Sequence, residues 1–430
     1  MANIEGLEKI ADLDNMLKEQ YLSKGLQDVR PDFTVLMSTV PFVGGSEKAG
    51  SELIWPVVTS REHGFTALGQ NGANSTLNKA TKAKTAQAKV VSYPFMGRTQ
   101  IDNVSISRAK QGPQAFVNAL EYKISNLQES FVVLNEQQLL YGRAGLGEVE
   151  SVTIPVTGGS HALGATGVIK LLESEFADHV WIGSEEMELE SETGKAKVKV
   201  TSYDIDAREL EVVVIVAGTE LVAGSKLHRN GFRDDDSTGP GLQSLFSQTT
   251  GTLLGINQAI TPLWKVNQSN VNGLLSFEKV ADAVAKAVGR GLAEKITLHV
   301  HPMVFASLMP DFNTLKADPS LYKSRIFTTS SEVKKMEHGV YGITFIVGSV
   351  EVVLVANPFI KIGHAFGVAD GELMRCGSSD ITYKIPGEET EKYFHRLDDV
   401  AGLELRVFSD QALFSVTLNK HLHMYGITAE

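Results

Sequence analysis

The longest regular pattern in the chain is a helical stripe of apolar residues between about Ser107 and Gly142. Its members follow one another at spacings of three and four residues, the repeat of one helix face, and mostly polar residues lie between them. They are Phe116, Leu120, Ile124, Leu127, Phe131, Leu134, Gln138 and Tyr141. Pro113 stands where a first helical turn tolerates proline, and Gly142 stands where a helix can end. The pattern predicts a spine helix of roughly 45 Å, on which other elements are laid.

Two apolar segments before this helix indicate a hairpin. Residues 52–58 and 89–97 have strand patterns, and the residues between them are mostly small and polar. A connection of this length is uncommon inside a compact domain, so we expect a hairpin that leaves the body of the protein. It carries the lysines Lys79, Lys82, Lys84 and Lys89. We expect these lysines to be solvated or to pair with an adjacent subunit, and binding of a polyanion is the alternative.

The first fifty residues indicate an arm. Apolar residues between Ile4 and Leu17 are spaced as in a short amphipathic helix, which either docks on a neighbour or partner or lies on the local surface. An extended segment begins at Arg30-Pro31 and is interrupted by Pro41 and two glycines. This pattern predicts a chain that lies along another surface.

From Val149 the pattern changes to short apolar or alternating runs separated by turns. The runs cover residues 152–156, 167–172, 178–183, 187–191, 195–204 and 208–216. Helical patterning returns only after Asp234–Asp236. Six short strands in succession predict an all-β module inserted into the chain at residues 149–233.

The remainder of the chain mixes both patterns. Helices are expected at residues 242–254 and 277–288, the second capped by Ser276, and another begins at Pro302. Strands are expected at residues 296–300, 342–347, 350–355, 402–408 and 413–418. A tight turn at Gly348-Ser349 joins the second and third of these strands.

Composition restricts the class of protein. The chain has 430 residues, of which 43% are hydrophobic and 21% charged, so it is long enough for two or three domains of ordinary globular character. It has no run of eighteen apolar residues and no apolar core near its start, so neither a transmembrane helix nor a secretory signal is expected. A formal charge of −11 without a dense basic block argues against a bulk surface that grips nucleic acid.

The candidate chemical groups are few. His299 and His301 are two residues apart on a predicted strand, as are His421 and His423, so each pair shares a face and is a possible metal ligand set. No cysteine accompanies either pair, and ordinary polar positions are the expectation. The glycine-rich segment 143–147 neither follows a strand nor opens a helix, which favours a turn over a phosphate loop.

Two further candidates have simple alternatives. Asp234–Asp236 is either a cation site or a solvated turn, and the turn is favoured. Cys376 is either a nucleophile or a buried thiol, and the thiol is favoured. As the only cysteine it excludes an intramolecular disulfide, which favours folding in a cytoplasm. The sequence therefore predicts no catalytic residue, no metal site and no cofactor.

The order of the elements resembles that of the tailed-phage major capsid proteins, which have the Hong Kong 97-type fold. Three stretches are also similar to that family. TGTLLGINQAITPLWKVN resembles the segment before the axial domain, LHVHPMVFASLMPDF the strand and helix in that domain, and VEVVLVANPFIKIGHAFGV its later hairpin and outgoing strand. The resemblance covers most of the chain.

This resemblance implies an α+β, Hong Kong 97-like capsid fold. Its expected parts are an N-terminal arm at 1–50, an extended loop formed by a long β-hairpin at 51–104, the spine helix of the peripheral domain at 105–148, the inserted β module at 149–233, connecting helices at 234–269, the axial domain at 270–375 and a returning peripheral segment at 376–430. Some family members join subunits through a Lys–Asn isopeptide bond. No catalytic glutamate can be matched here, so that bond is not expected at Lys79 or Lys82.

The resemblance also implies a function. The expected protein is a non-enzymatic major capsid protein that assembles into pentamers and hexamers, forming an icosahedral shell around the double-stranded DNA genome of a tailed phage. Its expected partners are itself, a separate scaffolding protein, a portal protein and a decoration protein, without a membrane and without sequence-specific DNA binding. Its expected location is the virion, after assembly in the bacterial cytoplasm. The alternatives are an encapsulin-type nanocompartment shell and a metal-dependent α/β enzyme using His299 and His301.

Overall fold

The computed structural model describes residues 7–8, 34–44, 52–67, 77–102, 119–192, 194–233, 238–310, 342–383, 394–396 and 402–429. Within these residues the fold is α+β. Its parts are a peripheral sheet, a closed barrel, an axial sheet, the spine helix and several shorter helices. Most of the buried apolar side chains form one continuous cluster that extends from the barrel into the axial sheet.

The spine helix spans Ala119–Leu140. Residues 103–118, on which the predicted start falls, lie outside the described residues. The helix passes into a 3₁₀ turn at Gly142–Ala144, and Gly142 has a φ of +43°. A Cβ atom on Gly142 would lie 2.2 Å from the carbonyl oxygen of Gly239, so the chain needs glycine there.

The apolar stripe predicts that only one face of this helix is buried. Its last part, however, is buried on every face. The polar residues 135–138 are buried along with Leu139 and Leu140. Buried polar groups require hydrogen-bond partners. Glu136 bonds to the arm, Asn135 to the peripheral sheet and to its own helix, and Gln137 to the short helix at Asp178–Trp181.

The peripheral sheet contains six strands among the described residues. In spatial order they are Leu7–Glu8, Tyr93–Asp102, Gly402–Ser415, Leu373–Thr382 and Phe42–Gly44, with Phe394–Arg396 also pairing with Gly402–Ser415. Both ends of this order come from the first fifty residues, and both pair in parallel. The two strands predicted at 402–408 and 413–418 are one strand, because the polar residues between them stay in the ladder opposite Tyr93–Asp102.

Two predictions for the arm require correction. Leu7 and Glu8 form a strand rather than part of a helix, because they pair with Gln100 and Ile101. The other residues of the predicted helix at 4–17 lie outside the described residues. The extended segment contains a short helix at Leu36–Thr39, because buried Glu136 accepts the N–H groups at its start.

The inserted residues form a closed six-stranded barrel. Its strands, in spatial order, are Glu188–Glu190, Lys197–Asp204, Glu209–Val216, Thr166–Leu171, Gly147–Val152 and Lys226–Arg229. The strand prediction at 178–183 is wrong, because Asp178–Trp181 is a short helix that follows a 3₁₀ turn at Glu173–Glu175. Val180 and Trp181 are consecutive and both buried, which an alternating half-exposed strand does not provide. A three-stranded sheet of Val156–Thr157, Ser160–His161 and Gly218–Thr219 lies at one end of the barrel.

The axial sheet also has six strands among the described residues. Their spatial order is Asn267–Leu274, Leu422–Thr428, His364–Ala369, Ile296–Val300, Val350–Ala356 and Gly342–Val347. Val347 pairs with Val350, and Gly348 has a φ of +62°, which confirms the turn predicted at Gly348-Ser349. The strand Leu422–Thr428 belongs to this sheet and not to the peripheral one, because a 3₁₀ turn at Leu418–Lys420 redirects the chain after Ser415.

Three further helices complete the described structure. Phe277–Val288 is capped by Ser276, as predicted, and Pro302–Ser307 begins at its proline. The helix predicted at 242–254 spans only Gly241–Ser247. Gly251 and Gly255, both with positive φ, allow a small hairpin of Thr252–Leu253 and Ile256–Asn257 to follow. None of the helices in the described part of the chain has the length and apolar character needed to cross a membrane.

We expect Leu127→Pro to prevent formation of the soluble protein. Leu127 is inside the spine helix and packs on the small cluster of Phe95, Phe131 and Val407. Proline in a helix interior costs about 3 kcal/mol or more. Soluble yield and circular dichroism measure the effect. Leu127→Ala is the control and should still fold, so equal behaviour of the two variants would contradict the structural role of this helix.

Candidate assembly surfaces and the contacts that position them

The extended hairpin consists of the strands Leu53–Val58 and Thr85–Val90. They pair in antiparallel register from Leu53 opposite Val90 to Val58 opposite Thr85. The strand predicted at 89–97 is divided at residues 91–92, because Tyr93–Asp102 pairs instead with the long peripheral strand Gly402–Ser415. Farther out, Asn78 donates hydrogen bonds to Phe65 and Thr66 and so connects the two limbs.

The two faces of the hairpin differ. On the inner face, Trp55 packs against Phe414 with ring centroids 5.5 Å apart, and Ala88 and Val90 are buried. On the outer face, the side chains of Ile54 and Val58 are 50% and 70% exposed. Toward the tip, Phe65 and Leu77 are 82% and 75% exposed. A line of exposed apolar side chains on a projecting element is typical of a surface that another protein covers.

The lysines of the hairpin are solvent-facing. Lys89 forms an ion pair of 3.0 Å with Glu52. Lys79, Lys82 and Lys84 are exposed, and they form no ion pair with any residue that the structure describes. Pairing of these lysines with an adjacent subunit therefore remains a prediction.

Glu136 of the spine helix holds the arm. Its carboxylate accepts backbone N–H groups of Val35 at 3.1 Å, Leu36 at 2.8 Å and Met37 at 2.8 Å. These are the groups that the start of a helix leaves unpaired, so a buried carboxylate caps the helix Leu36–Thr39. Burial raises the pKa of Glu136, and the three hydrogen bonds and nearby Arg375 oppose that rise.

Arg375 continues this network into the peripheral sheet. Its guanidinium donates to the Val40 carbonyl oxygen at 3.0 Å, and at 2.9 Å to both Asp380 and Gln411. Gln411 in turn donates to Asn135 of the spine helix at 2.7 Å. Residues 34–44 are therefore fixed to the helix and to the sheet of their own subunit.

A buried ion pair joins the barrel to the rest of the molecule. Lys361 is 1% exposed, and its ammonium donates to Glu175 at 2.7 Å, to Gln243 at 3.0 Å and to the Gly145 carbonyl oxygen at 2.9 Å. The same ammonium lies 4.5 Å from the centroid of the Tyr141 ring. Burial lowers the pKa of Lys361, which the attraction of Glu175 opposes. Burial would raise the pKa of Glu175, but Lys361 and His364 hold it well below its usual range, so the pair is ionised.

Two histidines extend this pair into the axial sheet. His364 Nε2 lies 2.8 Å from Glu175 Oε1, and His364 Nδ1 lies 3.0 Å from His423 Nε2. Because ionised Glu175 is an acceptor, His364 donates to it through Nε2–H, and one hydrogen bond joins His364 Nδ1 to His423 Nε2. The rings of His364, Phe366 and His423 are stacked within 12° of parallel. Burial lowers the pKa of His423 to about 3, so this histidine is neutral.

The histidines considered as metal ligands occupy core positions. His299 is buried, which lowers its pKa to about 4. His301 caps the helix Pro302–Ser307 by accepting the N–H of Met303, and His421 contacts Ser415 at 2.7 Å. Within the described ranges no group of three or more His, Cys, Asp or Glu residues is arranged to hold a metal ion.

Of the remaining candidate groups, Cys376 and the segment 143–147 have structural roles, and Asp234–Asp236 lies outside the described residues. Asp234–Asp236 falls between residues 233 and 238 and is not described. Cys376 is buried in a peripheral strand, beside the Ala412 carbonyl oxygen at 3.6 Å. Arg143 is in a turn and donates to Thr238 at 2.8 Å and to Tyr93 at 2.7 Å. Sequence patterns missed Glu136, Lys361 and Glu175, because their partners are far away in the chain.

Removal of the buried cation should destabilise the protein strongly. We expect Lys361→Met to lower the free energy of unfolding by about 3–5 kcal/mol, since Glu175 is left with an uncompensated charge. The double variant Lys361→Met with Glu175→Gln should recover part of that loss. Urea unfolding measures both. A double variant less stable by the sum of the two single losses would show that the charges are not coupled.

Because of its buried histidines, we expect the folded protein to lose stability in acid. The pKa of His299 and of His421 falls to about 4 in the folded protein, so unfolding takes up protons between about pH 6.5 and pH 4. The free energy of unfolding should therefore be fully retained above that window and fall as the pH decreases through it. Urea titrations at pH 7, 6 and 5 test this. His299→Leu should show a pH dependence weaker by about one proton, and an unchanged slope would contradict the assignment.

Solved structures of shell proteins are similar to this fold over nearly the whole chain. The cyanophage A-1(L) capsid asymmetric unit matches with a TM-score of 0.52 at 12% identity, covering 95% of this chain and 96% of that one. The SrpI encapsulin of Synechococcus elongatus matches with a TM-score of 0.45 at 9% identity, covering 98% and 96%. The capsid of Myoviridae phage XM1 matches with a TM-score of 0.44 at 8% identity, covering 95% and 96%. No protein-family model and no curated protein sequence matches the chain.

The fold assignment rests on the first of these similarities together with the order of the elements. An arm segment, a hairpin, the spine helix, the barrel and the axial sheet follow one another along the chain. The barrel is inserted between the spine helix and the axial sheet. The chain thus has the Hong Kong 97-type fold of the tailed-phage major capsid proteins.

Proposed function

We propose that this protein is a structural major capsid protein. It assembles into pentamers and hexamers that form an icosahedral shell, and the shell encloses the double-stranded DNA genome of a tailed phage. It acts as a building unit and catalyses no reaction. Its location is the virion, and it assembles in the cytoplasm of the host bacterium.

The observation that carries this proposal is the hairpin on a capsid fold. Its inner face packs on the subunit, while Ile54 and Val58 on its outer face and Phe65 and Leu77 toward its tip are exposed. A monomer gains nothing from exposing this apolar surface, whereas a neighbouring subunit that covers it gains roughly 25 cal/mol for each Å² buried. Such area supports an assembly of many copies.

The parts of the chain take the following roles in this proposal. Within the arm at 1–50, Leu7–Glu8 and residues 34–44 pack on their own subunit, and the extended loop at 51–104 reaches along neighbours. The spine helix at 105–148 and the returning segment from 376 form the peripheral domain, except for the strand Leu422–Thr428. The connecting residues 234–269 lead into the axial domain at 270–375, which packs around the capsomer axis. The β module at 149–233 adds contacts within or between capsomers.

The proposed partners follow from the same role. A separate scaffolding protein guides assembly, a portal protein occupies one vertex, and a decoration protein covers the outside. DNA is enclosed without sequence-specific contacts. A formal charge of −11 suits such a container, since a strongly basic lining would immobilise the genome.

The outer face of the hairpin provides the test. We expect the purified wild-type protein to form particles of tens of nanometres in negative-stain images. Ile54→Ser with Val58→Ser should remain as monomers or small capsomers, because the exposed apolar strip no longer binds a neighbour. Size-exclusion chromatography and electron microscopy measure the difference.

Matched polar changes on the same face are the control. Thr85→Ser with Gln87→Ser should assemble as the wild type does, and circular dichroism should show all variants folded. Assembly of the serine variant at wild-type yield would contradict the role of the hairpin. A wild-type protein found only as monomers or dimers would contradict the shell itself. Particles from the native host that protect an enzyme instead of nuclease-resistant DNA would identify the encapsulin alternative.

A further inference from the structure

The exposed apolar side chains are concentrated in two places. Fifteen large apolar side chains are exposed among the described residues, and nine of them belong to the hairpin region or to one end of the barrel. The hairpin set is Ile54, Val58, Phe65, Leu77 and Val91, and the barrel set is Val156, Leu163, Val216 and Val222. A surface that a second copy must cover therefore occurs twice on each subunit.

The barrel set lies on an ordered surface, which we call the barrel end. It comprises the three short strands Val156–Thr157, Ser160–His161 and Gly218–Thr219 together with the adjoining residues. Val156 belongs to one of these strands, and Leu163, Val216 and Val222 lie in the adjoining segments. Buried His161 holds it together, because one ring nitrogen contacts the Pro155 carbonyl oxygen at 3.1 Å and the other accepts the N–H of Leu221 at 3.0 Å. The apolar side chains are thus presented on a fixed scaffold.

The two surfaces belong to segments of opposite charge. Residues 147–230 contain fifteen acidic and seven basic residues, so the barrel holds −8 of the formal charge of −11. Residues 52–92 of the hairpin region contain five basic and two acidic residues. At the barrel end, Glu192 is exposed and Glu220 is half-buried. The Glu192 carbonyl oxygen accepts the N–H of Lys195, and the Glu220 N–H donates to the Gly159 carbonyl oxygen. The ammonium of Lys195 lies at the same end and donates to the Glu220 carbonyl oxygen at 2.7 Å.

The exposed face of the hairpin has no counterpart among the described residues of its own subunit. The inner face of the hairpin packs on its own core, and at its base Lys89 lies against the turn at Leu254 and Gly255, with its N–H donating to the Leu254 carbonyl oxygen at 2.8 Å. Farther out, Val58, Thr85 and Gln87 on the outer face are exposed. Lys79, Lys82 and Lys84 form no ion pair with the described residues of their own chain. The exposed outer face and these lysines are therefore available to another molecule.

We propose that the hairpin of one subunit docks on the barrel end of a second copy. Apolar side chains meet apolar side chains, and the hairpin lysines face Glu192 and Glu220. This inference rests on the proposed shell function and adds the surface that receives the hairpin. Charge complementarity of this kind determines which surface is chosen and speeds encounter, while the apolar contact supplies most of the affinity.

A charge swap tests the pairing. Lys79→Glu with Lys82→Glu and Lys84→Glu should raise the protein concentration needed for assembly about tenfold, since like charges then meet across the contact. Glu192→Lys with Glu220→Lys should have a similar effect. The protein carrying all five changes should assemble at close to the wild-type concentration. Light scattering at low salt measures these concentrations, and the differences should shrink at high salt.

The other end of the barrel supplies the matched control. Asp206 and Glu211 are exposed acidic residues near the turn that joins Lys197–Asp204 to Glu209–Val216. Asp206→Lys with Glu211→Lys makes the same charge change there, and it should neither impair assembly nor rescue the lysine variant. Circular dichroism confirms that each variant is folded.

The outcomes separate the two proposals. Wild-type protein that forms no shell contradicts the proposed function. Shells that tolerate Glu192→Lys with Glu220→Lys unchanged contradict this pairing alone. A third outcome is equal rescue of the lysine variant by the Glu192 and Glu220 changes and by the Asp206 and Glu211 changes. That result would contradict the pairing, because the rescue would then depend on net charge only.

Discussion

The ion pair between Lys361 and Glu175 is the contact that fixes the barrel against the axial sheet and the connecting helix. Glu175 comes from the 3₁₀ turn within the barrel insertion, Lys361 precedes an axial strand, and Gln243 belongs to a connecting helix. A buried charge is tolerated only with full pairing, so only one relative placement of these elements satisfies it.

The N-terminal region and the hairpin illustrate two opposite solutions for extended chain. Residues 34–44 are held within the subunit by Glu136 and Arg375, whose buried hydrogen bonds leave little freedom. The hairpin is secured only on its inner face, and its outer apolar side chains remain uncovered. Such a subunit is suited to assembly. Its fixed arm segment keeps the shape of the monomer, and its uncovered hairpin face is free to contact a neighbour.

The histidine pairs show why spacing alone misleads. His299 and His301 are two residues apart, but the strand ends at Val300, and His301 becomes a helix cap. His423 lies in a stack with His364 and Phe366, from an antiparallel neighbouring strand. The positions of these histidines are therefore explained by helix capping and by ring stacking in the core. Shared spacing indicates a shared face, and it does not supply further ligands.

Local patterns determined much of this protein. The repeat of apolar residues located the spine helix, the helix Phe277–Val288, the turn at Gly348-Ser349 and most strands of the barrel, because these features depend on neighbours within a few residues. The order of the elements was enough to indicate the capsid fold. What only the tertiary structure decided were long-range choices: closure of the barrel, the crossing of Leu422–Thr428 into the axial sheet, and burial of Glu136, Glu175 and Lys361. A charged residue in a sequence carries no mark of whether its partner, a hundred or more positions away, will bury it.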